Sequence, residues 1–330
     1  MATMTDLGLR GQLEDRRQRL KTAIPASSQP AALEALLNEV DAALERMEAG
    51  TYGLCEACHD PIEAERLAAD PLARVCLGDL TPEEQRALEH DLETAAGIQR
   101  SLLPRQDHRV AGWDIHYCYE PAGPVSGDYC DVVAPANGEA PIFFALGDVS
   151  GKGVSASLLM AHLQAILRGL LATHASVDAL VASANRVFCE STLTSRYATL
   201  VCGRATAAGE VELCNAGHWP PLLLRSGDAA VATIGATGLP IGMFSSGSFT
   251  RQNLRLAPGD VLLLYTDGLS EAQNQAGAEY GLDRARGVLT RSGSRPAAGI
   301  VGACLEDLRA FRDGTARRDD LAIMAIRRVA

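Results

Sequence analysis

Apolar residues follow two different periods along the chain, and the change between them divides the sequence. Before about residue 105, apolar positions recur every three or four residues, which predicts helices over roughly 5–22 and 30–50. The apolar face of the second helix comprises Leu33, Leu36, Leu37, Val40, Leu44 and Met47. The short turn sequence AIPASSQP separates the two helices and predicts an antiparallel helical hairpin.

A third helix is predicted over residues 81–104. It begins at a capping box, in which Thr81 is followed three residues later by Glu84, and it ends at Pro104. Its apolar stripe comprises Leu88, Leu92, Ala95, Ile98 or Gln99, and Leu102. Because the composition differs on its two sides, we expect this helix to connect two domains, and its stripe to pair with a second copy in a homodimer.

From about residue 105, strand patterns predominate. The segments WDIHYCYEPA, APIFFALGD, YATLVCGRATAAGEVELCNAGHWPPLLLRSG, GDVLLLYTDG and DDLAIMAIRRV predict strands, and two helices over roughly 154–173 and 177–192 are inserted together. Strands in runs favour an α+β fold with mostly antiparallel sheets over a doubly wound parallel fold. The expected domains are 1–80, the linker helix 81–104, and 105–330.

Composition excludes several classes of function. The 330 residues carry 41 acidic and 30 basic side chains, a net charge of −11, and no dense basic block. We therefore expect no direct binding to nucleic acid or to a membrane surface. No segment has the pattern of a signal peptide or a membrane span. Six of the nine cysteines are isolated in the sequence, as is typical of buried reduced thiols in a cytoplasmic protein.

The segment GDVSGKG, at residues 147–153, combines glycines and a lysine between a predicted strand and a predicted helix. Only three residues separate Gly147 from Gly151, and Gly153 follows Lys152, so the spacing differs from that of a nucleotide-binding P-loop. A nucleotide-dependent switch is the less favoured alternative. Lys152 can hold a phosphate or remain a solvated side chain.

Four aspartates lie beside predicted strands, namely Asp128, Asp148, Asp267 and Asp319. Carboxylates near buried strand ends are costly unless they are paired or bind a metal, although aspartate is also a common turn residue. If they converge, a divalent cation would relieve their repulsion. Oxygen ligands favour Mg²⁺ or Mn²⁺.

Several segments together, in order, resemble the SpoIIE/RsbU-type phosphatases of the PPM class of metal-dependent serine/threonine phosphatases. They are IQRSLLP, SGDYCDV, ALGDVSGKGVSASLLMA, NAGHWPPLLL, YTDGLSEAQN and DDLAIMAI, within about residues 98–330. The resemblance implies an αββα sandwich and two Mn²⁺ or Mg²⁺ ions, with a metal-bound water attacking phosphoserine or phosphothreonine.

The same resemblance implies a role for each aspartate. Asp148 would bridge both ions, while Asp128 and the carbonyl of Val149 would serve one of them. Asp267 and Asp319 would complete the other site, with Asp320 as the alternative to Asp319. His218, in NAGHW, matches a family motif and has either a hydrogen-bonding role at a hairpin or a catalytic one.

The remaining three cysteines form a separate motif. Cys55 and Cys58 are followed after seventeen residues by Cys76, and Asp79 occupies the position of a fourth cysteine. Over residues 30–80 the chain resembles the DksA/TraR-type zinc finger. Cys55, Cys58, Cys76 and Asp79 can hold one structural zinc ion. The alternatives are His59 as the fourth ligand, or a finger that folds without metal.

Together these features predict a bacterial signalling phosphatase. The resemblance implies an anti-anti-sigma-type phosphoprotein as the substrate, in a pathway that opposes an anti-sigma kinase. The N-terminal module would sense, dimerise or dock. The alternative is a transcription modulator that acts on RNA polymerase through the finger, although AIPASSQP lacks the acidic residues that DksA-type proteins carry at the hairpin tip.

Overall fold

A computed structural model describes residues 4–24, 30–79, 81–134, 141–192, 196–228 and 230–329. The chain forms two compact units, Met1–Asp91 and Leu92–Ala330. The division between them falls inside the predicted linker helix, and the expected domain boundaries after residues 80 and 104 stay a prediction. Most of the predicted turn AIPASSQP lies outside the described residues.

The first unit contains a helical hairpin followed by a small cysteine-containing segment. The helices are α1 (Met4–Ala23), α2 (Pro30–Ala49) and α3 (Ala64–Ala69), and a 3₁₀ turn spans Leu77–Asp79. Ion pairs join Arg10 to Glu48 and Arg17 to Asp41, so α1 and α2 run antiparallel as predicted. The apolar faces of α1 and α2 meet in a cluster of Leu13, Leu20, Val40, Ala43 and Leu44.

Helix α4 (Pro82–Leu102) corresponds to the predicted linker helix. The N–H of Thr81 donates to Glu84 Oε2 at 2.9 Å, and the N–H of Glu84 donates to Thr81 Oγ1 at 3.2 Å. These reciprocal bonds satisfy backbone donors that the first helical turn leaves free, which confirms the predicted capping box.

In the described residues, two antiparallel sheets make up most of the second unit. One has the strand order β1-β2-β11-β10-β7-β8 and the other β3-β4-β5-β6-β9. The strands are β1 (Asp107–Val110), β2 (Trp113–Glu120), β3 (Asp128–Val133), β4 (Ile142–Val149), β5 (Ala198–Ala205), β6 (Glu210–Ala216), β7 (Leu222–Leu224), β8 (Val231–Thr233), β9 (Gln252–Arg255), β10 (Val261–Tyr265) and β11 (Leu321–Arg328). The helices are α5 (Gly153–Leu170), α6 (Val177–Ser191), α7 (Asp267–Ser270), α8 (Leu282–Ser292) and α9 (Ala297–Arg312).

The two sheets pack face to face with helices on both outer sides. On β4, Phe144 and Leu146 enter the core between the sheets, whereas Phe143 and Ala145 pack beneath α5 and α6. Helices α8 and α9 cover the other sheet in a third core. Because both faces of such central strands are buried, their sequences are continuous apolar runs. The predicted α+β class and αββα sandwich are confirmed.

The nine cysteines are free thiols in the structure. Of the six isolated ones, Cys130, Cys202, Cys214 and Cys304 are buried as expected, while Cys118 and Cys189 are only partly buried. Among the described residues, no helix combines the length and apolar content that crossing a bilayer requires.

Candidate active site

Asp128 and Asp148 are opposite one another on neighbouring strands at one end of the sandwich. Asp128 begins β3 and Asp148 lies near the end of β4, and the antiparallel register pairs them directly. Asp128 is 1% exposed, so its carboxylate is almost fully removed from water. The register therefore brings together two like charges that the sequence separates by twenty residues.

Asp267 approaches from the other sheet. It follows β10 and begins the short helix α7, and its predecessor Thr266 donates its hydroxyl to Asp128 Oδ2 at 3.0 Å. At Gly268, a Cβ atom would overlap the carbonyl oxygen of Asp320. Glycine is thus required where α7 meets the start of β11, and this close approach brings Asp267 beside the β3–β4 end.

Asp319 and Asp320 are adjacent in sequence but differ in their contacts. The Asp320 carboxylate accepts the backbone N–H of Ala122 at 2.7 Å and of Gly127 at 3.0 Å. Asp319 is partly exposed, and its Oδ2 accepts a hydrogen bond from Lys152 Nζ at 2.9 Å. Asp319 Oδ1 accepts the neighbouring N–H of Asp320, at 3.0 Å. Because both oxygens of Asp320 instead hold distant backbone loops, Asp319 is the better candidate for a metal ligand.

The carboxylates perturb one another strongly. Burial and the nearby carboxylate of Asp148 raise the pKa of Asp128 well above its usual range. Burial, followed by Asp267 and Asp319, raises the pKa of Asp148 to about 7. Burial and Asp319 likewise raise the pKa of Asp267 to about 6. Clustered carboxylates with raised pKa values mark a place where added positive charge is favourable.

Backbone geometry leaves space beside these groups. A Cβ at Gly127 would lie 3.0 Å from the carbonyl oxygen of Val149 and 3.5 Å from Asp148 Oδ1. Because Gly127 has no side chain, it does not cover the Val149 carbonyl oxygen or Asp148 Oδ1, which are two of the predicted ligand atoms. Carboxylate and carbonyl oxygens are the donor set that Mg²⁺ and Mn²⁺ prefer, so the residues present fit such ions.

The glycine loop between β4 and α5 adopts the conformation that its glycines permit. Gly151 and Gly153 have φ angles of 106° and 69°, which L-amino acids with side chains rarely adopt. Lys152 Nζ also donates to the carbonyl of Arg318 at 3.1 Å, so the loop reaches across to the start of β11. Lys152 is therefore paired with Asp319 rather than freely solvated.

His218 is part of a buried hydrogen-bond network. Its N–H donates to Asn215 Oδ1 at 2.8 Å, and its ring nitrogens contact Thr199 Oγ1 at 2.8 Å and the Tyr265 carbonyl at 3.1 Å. Burial lowers the pKa of His218 to about 4, so the ring is neutral at physiological pH. These contacts stabilise the turn after β6 against the end of β10, which favours the hydrogen-bonding role.

The first unit contains a second candidate metal site. One ligand atom from each of Cys55, Cys58, Cys76 and Asp79 lies within 4.8 Å of the others. Cys58 Sγ and Cys76 Sγ are 3.7 Å apart, close to the separation of about 3.8 Å expected for two sulfurs at Zn–S distances of roughly 2.3 Å. The group therefore fits zinc, and His59, which is exposed, is not part of it.

Comparison with known proteins identifies the second unit. Residues 138–329, more than half of the chain, match the family model of stage II sporulation protein E (SpoIIE). The chain belongs to the SpoIIE family. Residues 50–78 match the prokaryotic dksA/traR C4-type zinc finger. Both resemblances predicted from the sequence are therefore confirmed.

Two relatives share about a quarter of their aligned residues with this chain. The chain is 27% identical to IcfG of Synechocystis over 72% of its length, and 26% identical to the phosphoserine phosphatase RsbU of Bacillus subtilis over 58%. It spans only 41% and 57% of those two proteins. The SiaA PP2C domain of Pseudomonas aeruginosa shares the fold with a TM-score of 0.64 and 19% identity, covering 75% of this chain and 99% of that one.

Sequence reasoning missed two features of the site. Thr266 precedes Asp267 directly and hydrogen bonds to Asp128, although nothing in its sequence context distinguishes it from an ordinary strand residue. The sequence favours Asp319 over Asp320 as the ligand only by motif position, and it gives no indication that Asp320 holds two backbone loops. The signal that separates them is a set of backbone contacts to Ala122 and Gly127.

Proposed function

We propose that the second unit is a metal-dependent protein serine/threonine phosphatase of the SpoIIE family. The observation that carries this proposal is the convergence of four aspartates from separate segments, Asp128, Asp148, Asp267 and Asp319. Burial and the neighbouring carboxylates raise the pKa values of the first three. A site of this kind gains most from two divalent cations, and its oxygen donors favour Mn²⁺ or Mg²⁺.

Each residue would have a distinct task. Asp148 would contact both ions, Asp128 and the carbonyl of Val149 would hold one, and Asp267 and Asp319 would hold the other. When bound, the ions would activate a water for direct attack on phosphoserine or phosphothreonine and neutralise the phosphoryl oxygens. Thr266 would fix the Asp128 carboxylate. Lys152, which is paired with Asp319, would contact a phosphoryl oxygen.

We propose a phosphorylated signalling protein as the substrate, of the anti-anti-sigma type, in a pathway opposed by an anti-sigma kinase. Family membership and the relation to RsbU, which is named a phosphoserine phosphatase, support this substrate class. Fold alone does not specify a substrate, so the phosphoprotein has to be identified by direct dephosphorylation.

The first unit would control the attached phosphatase by sensing, dimerising or docking, with one zinc ion held by Cys55, Cys58, Cys76 and Asp79. Helix α4 leaves Leu88 and Ile98 exposed, which supports pairing with a second copy. Substituting Leu92 and Leu102 with charged residues should then convert a dimer to a monomer, as measured by light scattering. An unchanged mass and activity would contradict dimerisation through this helix.

The match to the dksA/traR finger favours one alternative, a modulator of RNA polymerase. In that case the chain should retain polymerase in a pull-down, and a chain lacking residues 1–80 should not. If neither form retains RNA polymerase, the polymerase alternative is contradicted and the phosphatase function remains.

The phosphatase proposal is tested by hydrolysis of p-nitrophenyl phosphate by the full chain. Activity should require Mn²⁺, disappear with a chelator and disappear in Asp148→Asn. Asp283→Asn is the matched control, because Asp283 is a highly exposed side chain on α8. Activity indifferent to both Mn²⁺ and Asp148→Asn would overturn the site assignment. A folded chain that neither binds Mn²⁺ in calorimetry nor hydrolyses the ester would overturn the function.

A further inference from the structure

A cavity of about 160 Å³ opens beside Asp319, between α7, the C-terminal end of α9 and the loop that precedes β11. Its wall includes Arg312, Arg317 and Arg318, together with Thr315, and we refer to it as the arginine cavity. Since a water molecule occupies about 30 Å³ of liquid, the space can hold several waters or a short side chain. The functions proposed above involve Asp319 of this wall but not the cavity itself.

Two of the three guanidinium groups have no acidic partner among the residues that the structure describes. Arg317 is held by the carboxylate of Glu120 and donates to the Glu120 carbonyl at 2.8 Å. In contrast, Arg312 donates to the carbonyl of Thr315 at 2.6 Å, and Arg318 makes only a long contact of 3.4 Å with Gln273 Oε1. Within the described parts of the chain, neither Arg312 nor Arg318 forms an ion pair with a carboxylate.

Buried polar atoms in the wall also lack partners. Thr315 Oγ1 and Arg317 Nε are inaccessible to water and have no hydrogen-bond partner among the described residues. Such atoms usually have a partner in folded proteins, so each requires an explanation. Burial, followed by the adjacent charge of Arg317, lowers the pKa of Arg312. The two buried atoms are out of reach of a group in the cavity, but an anion there would offset the repulsion between Arg312 and Arg317.

Two acidic side chains also line the cavity, but neither neutralises these arginines. Asp319 is paired with Lys152 and belongs to the proposed metal site, while Glu271 is exposed to solvent. With cations bound at the carboxylates, the remaining charge at this wall is positive. A guanidinium group binds the paired oxygens of a carboxylate or a phosphate. Because the proposed metal site takes the phosphoryl group, a carboxylate is the ligand left for the cavity.

We propose that the arginine cavity binds an acidic side chain, aspartate or glutamate, close to the phosphorylated residue of the protein substrate. This inference rests on the phosphatase function proposed above and adds a specificity determinant to it. Asp319 belongs to both the cavity wall and the carboxylate cluster, so the two sites are contiguous. In an extended peptide, successive residues are about 3.3 Å apart, and a residue near the phosphoserine can reach the cavity.

The test uses the full chain with Mn²⁺ and synthetic phosphoserine peptides. A single glutamate is moved from position to position on either side of the phosphoserine, and each peptide is compared with its glutamine counterpart. We expect kcat/KM to favour glutamate by about tenfold at one position or more, as a charge-assisted hydrogen bond would produce. The ratio of kcat/KM for the glutamate peptide to that for the glutamine peptide should fall towards one in Arg312→Gln and in Arg318→Gln.

Arg286→Gln is the control, because Arg286 is an arginine on α8 that pairs with Asp283 and lies outside the cavity; it should keep the wild-type ratio. Arg318 is exposed on a loop, so its variant tests the cavity even if Arg312→Gln does not fold. A ratio near unity in the wild type, or one unaffected by either cavity variant, would overturn the proposal.

If the phosphatase proposal itself is wrong, the result is different, because no peptide would be hydrolysed. In that event, fluorescence anisotropy of the same peptides with the unmodified chain still tests the cavity. Tighter binding of the glutamate peptide that is lost in Arg318→Gln would support an acidic subsite without catalysis. Equal binding of glutamate and glutamine peptides would overturn it.

Discussion

The hydroxyl of Thr266 donates to Asp128 Oδ2 at 3.0 Å and accepts the N–H of Ala322 at 2.9 Å. Thr266 follows β10 and Asp128 begins β3, so this one side chain connects the two sheets beside the candidate metal site. A buried carboxylate needs hydrogen-bond donors to be tolerated. The hydroxyl provides one and orients the carboxylate at the same time.

Replacing Thr266 with valine should therefore weaken both stability and metal binding. The change keeps the shape but leaves the Ala322 N–H and the Asp128 carboxylate without their partner, at a cost of about 1–3 kcal/mol in the free energy of unfolding. Urea unfolding in the presence of chelator measures the loss, and calorimetry measures Mn²⁺ affinity. Thr266→Ser keeps the hydroxyl and serves as control. Identical midpoints for the valine and serine variants would show that the bond is unimportant.

Asp319 and Asp320 should respond differently to alanine. Asp320→Ala removes the acceptor of two backbone N–H groups, at Ala122 and Gly127, and should lower the free energy of unfolding by about 1–3 kcal/mol. Asp319→Ala removes a partly exposed carboxylate whose surface ion pair with Lys152 contributes roughly 0–1 kcal/mol.

The same pair of variants also separates metal binding from stability. Asp319→Ala should weaken Mn²⁺ binding by at least about tenfold, on the scale seen when groups around metal sites are removed. Calorimetry on both variants, alongside urea unfolding, gives the two quantities independently. If Asp320→Ala reduced metal affinity without loss of stability, the ligand assignment would have to be exchanged.

Zinc retention by the first unit should depend on Asp79. Its Oδ2 lies 3.1 Å from both Cys55 Sγ and Cys76 Sγ. Asp79→Cys would complete four thiolates, which bind zinc more tightly than three thiolates and a carboxylate. We expect slower zinc release to a colorimetric chelator in Asp79→Cys and faster release in Asp79→Ala.

Asp60→Ala provides the control for that series, since Asp60 is exposed and outside the group of four. A wild-type chain purified without zinc, and unable to take it up after reduction, would support a finger that folds without metal.

Burial of neutral His218 should make stability dependent on pH. The pKa of His218 is lowered to about 4 in the folded chain, compared with about 6.5 when unfolded. Between these values the unfolded state binds more protons, so the contribution of His218 is present above pH 6.5 and is lost as the pH falls towards 4. The loss amounts to about 3 kcal/mol at most.

The raised pKa values of Asp148 and Asp267 act in the opposite direction, because the folded chain then takes up protons as the pH falls. The effect of His218 therefore has to be measured as a difference. Urea unfolding of the wild type and His218→Gln at pH 7.5 and pH 5, both with chelator, isolates it. Parallel pH dependences in the two proteins would contradict a buried neutral histidine.

Much of the architecture could be predicted from the sequence because it depends on local pattern. Apolar periodicity predicted α2 and α4, and Thr81 with Glu84 predicted where α4 begins. Runs of strands predicted antiparallel sheets, since helices did not alternate with them one by one. The motif order identified the family, and the spacing of Cys55, Cys58 and Cys76 identified the finger.

The sequence by itself determined which residue types lie at strand ends and loops, because these depend on the nearest neighbours along the chain. Only the tertiary structure decided which of them meet. Asp128 faces Asp148 through sheet register, and Thr266 reaches Asp128 across 138 positions of sequence. Asp319 and Asp320 acquire different roles through loops nearly 200 residues away. The arginine cavity likewise forms only when β11, α7 and α9 pack together, and long-range packing of this kind leaves no periodic signal in the sequence.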